Sequence, residues 1–318
     1  MKDKPFDIPI EKAIVKLRDQ RLSLNRTIRS EARKESLLDI VKEKLGPYES
    51  EPLKMTHRAD VNTNKAVYAL IGDVHYGISF NNSIGVYNPQ VCKQRLMDYC
   101  SEIIEIGKQN KANTCYVSLL GDMISGIAHQ TIRIENKENV VEQIIGVSEI
   151  IASVLHNISL YFDYVYVNSV NGNHSRIIMN PDDSLNSERL DSLILYICKA
   201  RLSNNTNVLF VDNEIDPSIG SFVIFDKTYI SVHGDFDKNI KDSKFRIETL
   251  YGEHIDYFIN GHMHVAEMKQ EDCMYIQNGS VCGSGDEYTV RKRLFGPPTQ
   301  TCLVGSERGV DSIHVIKL

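Results

Sequence analysis

Five short apolar runs in this chain each end in residues that bind metals or move protons. Ala66–Ile71 leads into Gly72-Asp73-Val74-His75, and the run after Cys115 leads into Gly121-Asp122. Tyr164–Val170 leads into Gly172-Asn173-His174, and Tyr229–Val232 into His233-Gly234-Asp235. Ile255–Ile259 leads into Gly261-His262-Met263-His264. In four of the five, glycine stands immediately before the first polar residue. Carboxylate, carboxamide and imidazole together suit divalent manganese, iron or zinc, and no cysteine belongs to the set. Eight such groups exceed the needs of one ion. They suit two ions about 3.5–4 Å apart that share a bridging carboxylate.

The apolar runs read as buried strands, and glycine lets each one turn sharply at its end. Chemistry in open α/β sheets gathers outside the carboxyl ends of the strands, which is where these residues would stand. Further strands are expected at Val208–Val211, Phe222–Phe225, Met274–Gln277 and Ile313–Ile316, with a hairpin turn at Asp226-Lys227. Helices are expected over Pro89–Gly107, Val140–His156 and Ser187–Leu202. The first half therefore reads as α/β and the second half as richer in hairpins.

Ahead of these, apolar residues recur at helical spacing over residues 10–45, interleaved with Arg18, Arg21, Arg26, Arg29 and Arg33. The register drifts near Arg33–Ser36, so one helix or two would fit, and Gly46-Pro47 stops the pattern. The expected organisation is a helical extension over 1–46, a linker over 47–64 and a catalytic domain over 65–318.

The 318 residues include 36 Lys/Arg and 42 Asp/Glu, a net charge of -6. Residues 1–60 hold 14 basic and 11 acidic residues, so the remainder is the acidic part. Collagen-like and disordered classes are excluded by composition. No apolar run reaches the length of about 18 residues that a membrane helix needs, and no secretory signal is visible. Seven widely spaced cysteines without a Cys-x-x-Cys pair read as reduced, partly buried thiols of a cytoplasmic protein. His57, His129, His156, His254 and His314 stand outside the strand-end pattern and read as ordinary surface or core histidines.

Asp-x-His, Gly-Asp, Gly-Asn-His, His and Gly-His-x-His, in that order, resemble the signature of the calcineurin-like metallophosphoesterase superfamily. The resemblance covers about residues 66–280. It implies an α/β fold, a four-layer αββα sandwich, with a dinuclear site at one sheet edge. Carried over motif by motif, it implies that Asp73, His75 and His264 hold one ion and Asn173, His233 and His262 the other. Asp122 would bridge them, and His174 would be the catalytic acid. Two divalent cations, manganese first and iron, zinc, magnesium or nickel as alternatives, would then provide hydroxide for in-line attack on phosphorus. Ser175 stands where families of this type often carry Asp or Glu, so Asp191 or another carboxylate is expected to tune His174 instead.

Within the superfamily, the chain is most similar to DNA-repair exonuclease-like and phage-encoded phosphoesterases, some of which also carry a basic helical N-terminal segment. That similarity implies a nuclease on DNA or RNA. Phosphomonoester or cyclic-nucleotide hydrolysis by the same site is the alternative, and a non-catalytic scaffold ranks last because every ligand position is filled. Arg176, Lys238, Arg246 and Arg291 are the expected contacts to nucleic-acid phosphates. Tyr76, Phe80, Phe236, Tyr288 and Phe295 are candidates for base stacking. Gly283–Pro298 could fold over the active edge, and residues 10–45 could mediate a homodimer. No membrane partner is expected.

Overall fold

The computed structural model describes residues 8–44 and 64–318, so the expected linker and the Gly46-Pro47 stop fall almost wholly outside the described residues. The chain divides into two compact units, Met1–Pro47 and Tyr48–Leu318. The first holds one helix, α1 (Ile8–Lys44), continuous through the Arg33–Ser36 drift.

In the second unit the order is β1 (Lys65–Ile71), β2 (Phe80–Asn81), β3 (Val86–Tyr87), α2 (Pro89–Asn110), β4 (Thr114–Leu119), α3 (Gln130–Glu135), α4 (Val140–Tyr161), β5 (Tyr164–Ser169), α5 (Leu190–Arg201) and β6 (Val208–Phe210). There follow β7 (Ile219–Ile224), β8 (Lys227–Val232), α6 (Ile240–Tyr251), β9 (Tyr257–Asn260), β10 (Glu267–Gln270), β11 (Met274–Gln277), α7 (Glu287–Lys292), β12 (Thr299–Ser306) and β13 (Gly309–Lys317).

One sheet runs β13-β12-β1-β4-β5-β6 and the other β10-β11-β9-β8-β7. Strands β1, β4, β5 and β6 are mutually parallel, as are β8, β9 and β11. The strand period of two sorts β1 cleanly. Ala66, Tyr68 and Leu70 face the second sheet and meet Phe222, Tyr229, Ile259 and Ile276 in the inter-sheet core. Val67, Ala69 and Ile71 are buried on the opposite face, beneath the outer helix layer that includes α2 and α4. On the far side of the second sheet, Ile247 of α6 packs with Ile230, Val232 and Phe258. The result is the four-layer αββα sandwich.

Local sequence accounts for the elements. Asn88 caps α2 by accepting from the Val91 amide, with Pro89 in the first turn. Asn139 and Glu142 form a reciprocal capping box on α4. Among the described residues α4 is the one helix long and apolar enough to cross a membrane, and 67% of its apolar window is buried inside the protein. All seven cysteines are free and buried.

The structure shifts several expected boundaries. The β7–β8 turn is centred on Phe225 and Asp226, both with positive φ as a tight hairpin turn requires, one residue before the expected pair. Strand β12 and helix α6 lie where no element was expected. The segment after His75 contains the small β2–β3 ladder, and Asn82 donates to the Gly285 carbonyl, tying that segment to the 283–298 excursion.

Candidate metal centre

Parallel β1, β4 and β5 in one sheet, and parallel β8 and β9 in the other, present all five polar turns at one edge of the sandwich. The ligand-type atoms converge in three overlapping groups, Asp73/His75/His264, His75/Asp122/His174 and Asp122/His233/His262, each with its atoms within 4.8 Å of one another. Asp122 joins them: its Oδ2 is 3.2 Å from His233 Nε2, 3.9 Å from His174 Nε2 and 4.0 Å from His75 Nε2. Asn173 Oδ1 lies 3.1 Å from His233 Nε2. His262 Nδ1 lies 3.2 Å from the same nitrogen.

The donor set fits cations on two observations. Asp73 Oδ1 is buried and makes no hydrogen bond, with His264 Nε2 at 3.4 Å and His75 Nε2 at 3.8 Å. A buried carboxylate oxygen without a partner is costly unless a cation satisfies it. The Nε2 atoms of His75 and His264 also face each other at 3.0 Å, an arrangement that a shared electrophile stabilises.

The surrounding backbone aims these groups. The His262 amide donates to Asp73 Oδ2 and the His174 amide to Asp122 Oδ1. His233 Nδ1 donates to the Leu120 carbonyl, which turns Nε2 inward. Asp73, His75, Asp122, His262 and His264 all have φ between 48° and 68°, five of the nine non-glycine residues with positive φ among the described residues. That left-handed backbone costs about 1–3 kcal/mol per residue and clusters at functional sites. Gly172 is required by contact: a Cβ there would lie 2.1 Å from Asp122 Oδ1.

Electrostatics follows from burial and proximity. Burial alone would raise Asp122, but the neighbouring His233 and His174 outweigh it and hold the carboxyl well below its ordinary range. Asp73 is likewise lowered against the effect of burial, chiefly by His264. Burial would lower His233, yet Asp122 beside it pushes it up to about 10. His174 is lowered to about 3 by burial, which outweighs the pull of Asp122.

Among the described residues, no carboxylate is bonded to His174 Nδ1 in place of the acidic residue expected at position 175. Nδ1 of His174 donates instead to the Ser125 carbonyl, which leaves Nε2 facing the centre. Asp191 has a different task. Its two oxygens accept from the Met123 and Gly172 amides and so clamp the Gly121-Asp122 turn to the Gly172-Asn173 turn. Ser175 joins the same clamp by donating to the Gly172 carbonyl.

Three residues at the site lay outside the sequence reading. His129, read as an ordinary histidine, stacks on His174 with centroids 4.5 Å apart. Its Nε2 is 3.1 Å from Asn173 Nδ2 and 3.2 Å from Arg176 Nη2. Arginine can only donate, so that nitrogen is an acceptor and the ring is neutral. Arg189 is buried and donates to the Gly172 carbonyl. Gln300 of β12 bonds both the amide and the carbonyl of Gly72, fixing the turn that carries Asp73. Only tertiary placement reveals these roles, because none of the three stands at a strand end in a recognisable pattern.

The expected phosphate contacts separate. Arg176 is buried against the centre, its Nε donating to the Asn173 carbonyl. Arg246 lines a cavity that includes His233. Lys238 lines a different cavity with Lys241, Asn260 and Tyr275. Lys241 and Lys244 from the same basic run are engaged by Glu271, and by Glu248 and Asp272. Arg291 is exposed in the last turn of α7. The excursion carrying α7 does border the centre: the Val281 amide donates to the Asp73 carbonyl, and a Cβ on Gly296 would lie 3.0 Å from the His264 carbonyl oxygen.

No protein-family model matches the chain. It is 23% identical over 287 residues to the SPbeta prophage-derived uncharacterized protein YonJ of Bacillus subtilis strain 168, covering 86% of this chain and 69% of that one. Among solved structures it is similar to a conserved uncharacterized protein, a predicted phosphoesterase, of Streptococcus pneumoniae TIGR4. Identity is 11%, over 80% of this chain and 98% of that chain, with a TM-score of 0.33. It is also similar to Vacuolar Protein Sorting 29 of Cryptosporidium parvum, at 14% identity over 80% and 99% of the chains, with a TM-score of 0.38. Wild-type Vps29 complexed with zinc from Entamoeba histolytica matches at 12% identity over 79% and 98% of the chains, with a TM-score of 0.35.

Proposed function

We propose that the chain is a dinuclear-metal-dependent phosphodiesterase acting on nucleic acid. The observation that carries this reading is the convergence of Asp73, His75, Asp122, Asn173, His233, His262 and His264 around one bridging carboxylate, with His174 facing the same space. Two divalent cations, manganese foremost, would supply a water of lowered pKa and neutralise phosphate charge. Asp73, His75 and His264 would hold one ion, Asn173, His233 and His262 the other, and Asp122 both. His174 presents Nε2 to the leaving oxygen and protonates it. Arg176 places a fixed positive charge beside the bound phosphate. The prophage origin of the Bacillus relative supports a phage-type enzyme, and seven unpaired buried thiols suit a reducing cytoplasm.

The test is hydrolysis with added manganese of end-labelled single- and double-stranded DNA, RNA, a diester reporter and a monoester reporter. Chelator-sensitive cleavage of diester and polynucleotide is the expected result. Turnover of the monoester alone would transfer the site to a phosphatase.

The resting charge state gives a second expectation. His233 near 10 is protonated at pH 7.5 and must be neutral to ligate, so cation binding should release about one proton from it. Affinity should therefore rise with pH. Calorimetry in buffers of different ionisation heat reads the released proton directly, and a heat independent of buffer would contradict the assignment.

His129 should act by orientation. By accepting from Asn173 Nδ2, it keeps Oδ1 turned to the centre. His129→Ala is expected to weaken the second cation by about 10–100-fold, the usual effect of losing an outer partner, and to leave the first unchanged. A two-step manganese titration followed by paramagnetic resonance separates the two.

The exposed Val15, Leu17, Leu22, Leu24 and Ile28 on α1 favour a homodimer through this helix. Deleting residues 1–60 should then halve the solution mass of the particle, beyond the mass of the segment itself.

A further inference from the structure

A cavity of about 350 Å³ opens beside the metal centre and shares His233 with it. Asp235, Phe236, Asp237 and Arg246 of α6 also line it. A group esterified to phosphorus at the centre would have this cavity beside it, on the His233 side. The Phe236 ring is 60% exposed, although an aromatic ring is usually buried. The ring is not loose: the buried Arg189 guanidinium sits 5.8 Å from its centroid and is itself tied to the Gly172 carbonyl. A fixed, solvent-facing aromatic plane is what an unpaired base stacks on.

The polar lining narrows the occupant. Once His233 is a neutral metal ligand, Arg246 is the one cation of the lining against the carboxylates of Asp235, Asp237 and Asp216, the last already accepting from Asn186 and Ser218. That balance disfavours a second phosphate in the cavity. It favours a neutral group rich in N–H or O–H donors, the complement of carboxylate acceptors. The volume falls at the small end of ligand pockets, which run from about 300 to 1,000 Å³. It suits one nucleoside and excludes a base pair.

We propose that this cavity is the subsite for the single unpaired nucleoside esterified to the scissile phosphate, stacked on Phe236 and read by the neighbouring aspartates. The proposal rests on the phosphodiesterase reading and specifies single-stranded nucleic acid as the substrate.

The test compares two diesters with the same leaving group on the manganese-loaded full chain. One is bis(p-nitrophenyl) phosphate, which has no base; the other is the p-nitrophenyl ester of each deoxynucleoside 5′-monophosphate. The nucleoside esters are expected to show kcat/KM at least about tenfold higher, in line with base stacking on an aromatic platform. Phe236→Ala should bring the ratio close to one, and Phe236→Tyr should preserve it. In addition, deoxynucleoside base protons should shift upfield on binding the metal-free parent and not the Phe236→Ala chain. Equal kcat/KM for the two diesters in the parent would overturn the subsite and leave the phosphodiesterase standing. Failure to hydrolyse either diester would overturn the phosphodiesterase, and the subsite with it.

Discussion

Asp122→Asn should abolish stable occupancy of the pair of cations and, with it, turnover. Its Oδ2 faces imidazoles from three other turns, His75, His174 and His233. A carboxamide keeps the size and can still accept from the His174 amide, so the loop geometry should persist. On the dinuclear reading, the lost quantity would be the buried negative charge that Asp122 would share between two cations. Loss of an outer-shell partner costs about 10–100-fold in metal affinity, and this inner ligand should exceed the upper end. A second signature follows. Without that charge beside it, His233 should fall back toward an ordinary imidazole, and most of the proton release on metal binding should disappear. Metal content after dialysis, with thermal melting to confirm folding, checks the result. Full occupancy with unchanged buffer dependence would remove Asp122 from the bridging position.

His174→Ala should have the opposite profile, with cations retained and turnover lowered by about 10²–10⁴-fold, the typical worth of a positioned proton donor. The resting imidazole is neutral because burial lowers it to about 3. Its Nδ1 proton is held by Ser125, so the proton that reaches the leaving oxygen must sit on Nε2. A phosphate anion beside the ring favours the charged form. The donor is thus armed by substrate, and substrates with a good leaving group such as p-nitrophenolate should be much less affected by the mutation than polynucleotide. That contrast is measurable on one preparation. A mutant that loses metal instead would make His174 a ligand, which its membership of the His75/Asp122 group also permits geometrically.

The sequence made the strand-end residues legible because they follow a local rule: an apolar run, a glycine, then a polar group. Strands β1, β4, β5 and β9 obey it, β8 runs straight into His233 with Gly234 behind it, and the parallel order brings the turns to one edge. The supporting residues obey no local rule. Strand β12 opens with Thr299, Gln300 and Thr301, all buried, and this polar start hides a strand whose polar atoms clamp other turns. Helix α6 carries Lys241, Lys244 and Arg246, and its Ile240 and Ile247 are too sparse to reveal the face that packs on the second sheet. His129 arrives from beyond the Gly121–Gly126 turn. There Gly126, at φ +70°, lets the backbone pass His174 so closely that a Cβ would lie 2.0 Å from its carbonyl oxygen. Period and composition cannot show such a contact.

The left-handed backbone at Asp73, His75, Asp122, His262 and His264 sets function against endurance. Each of these positions would be more comfortable as glycine. A library of this chain selected only for survival at high temperature without divalent cations should therefore accumulate changes at these five positions first. It would yield tougher proteins that have forgotten their chemistry, whereas the same selection carried out with manganese present should protect all five.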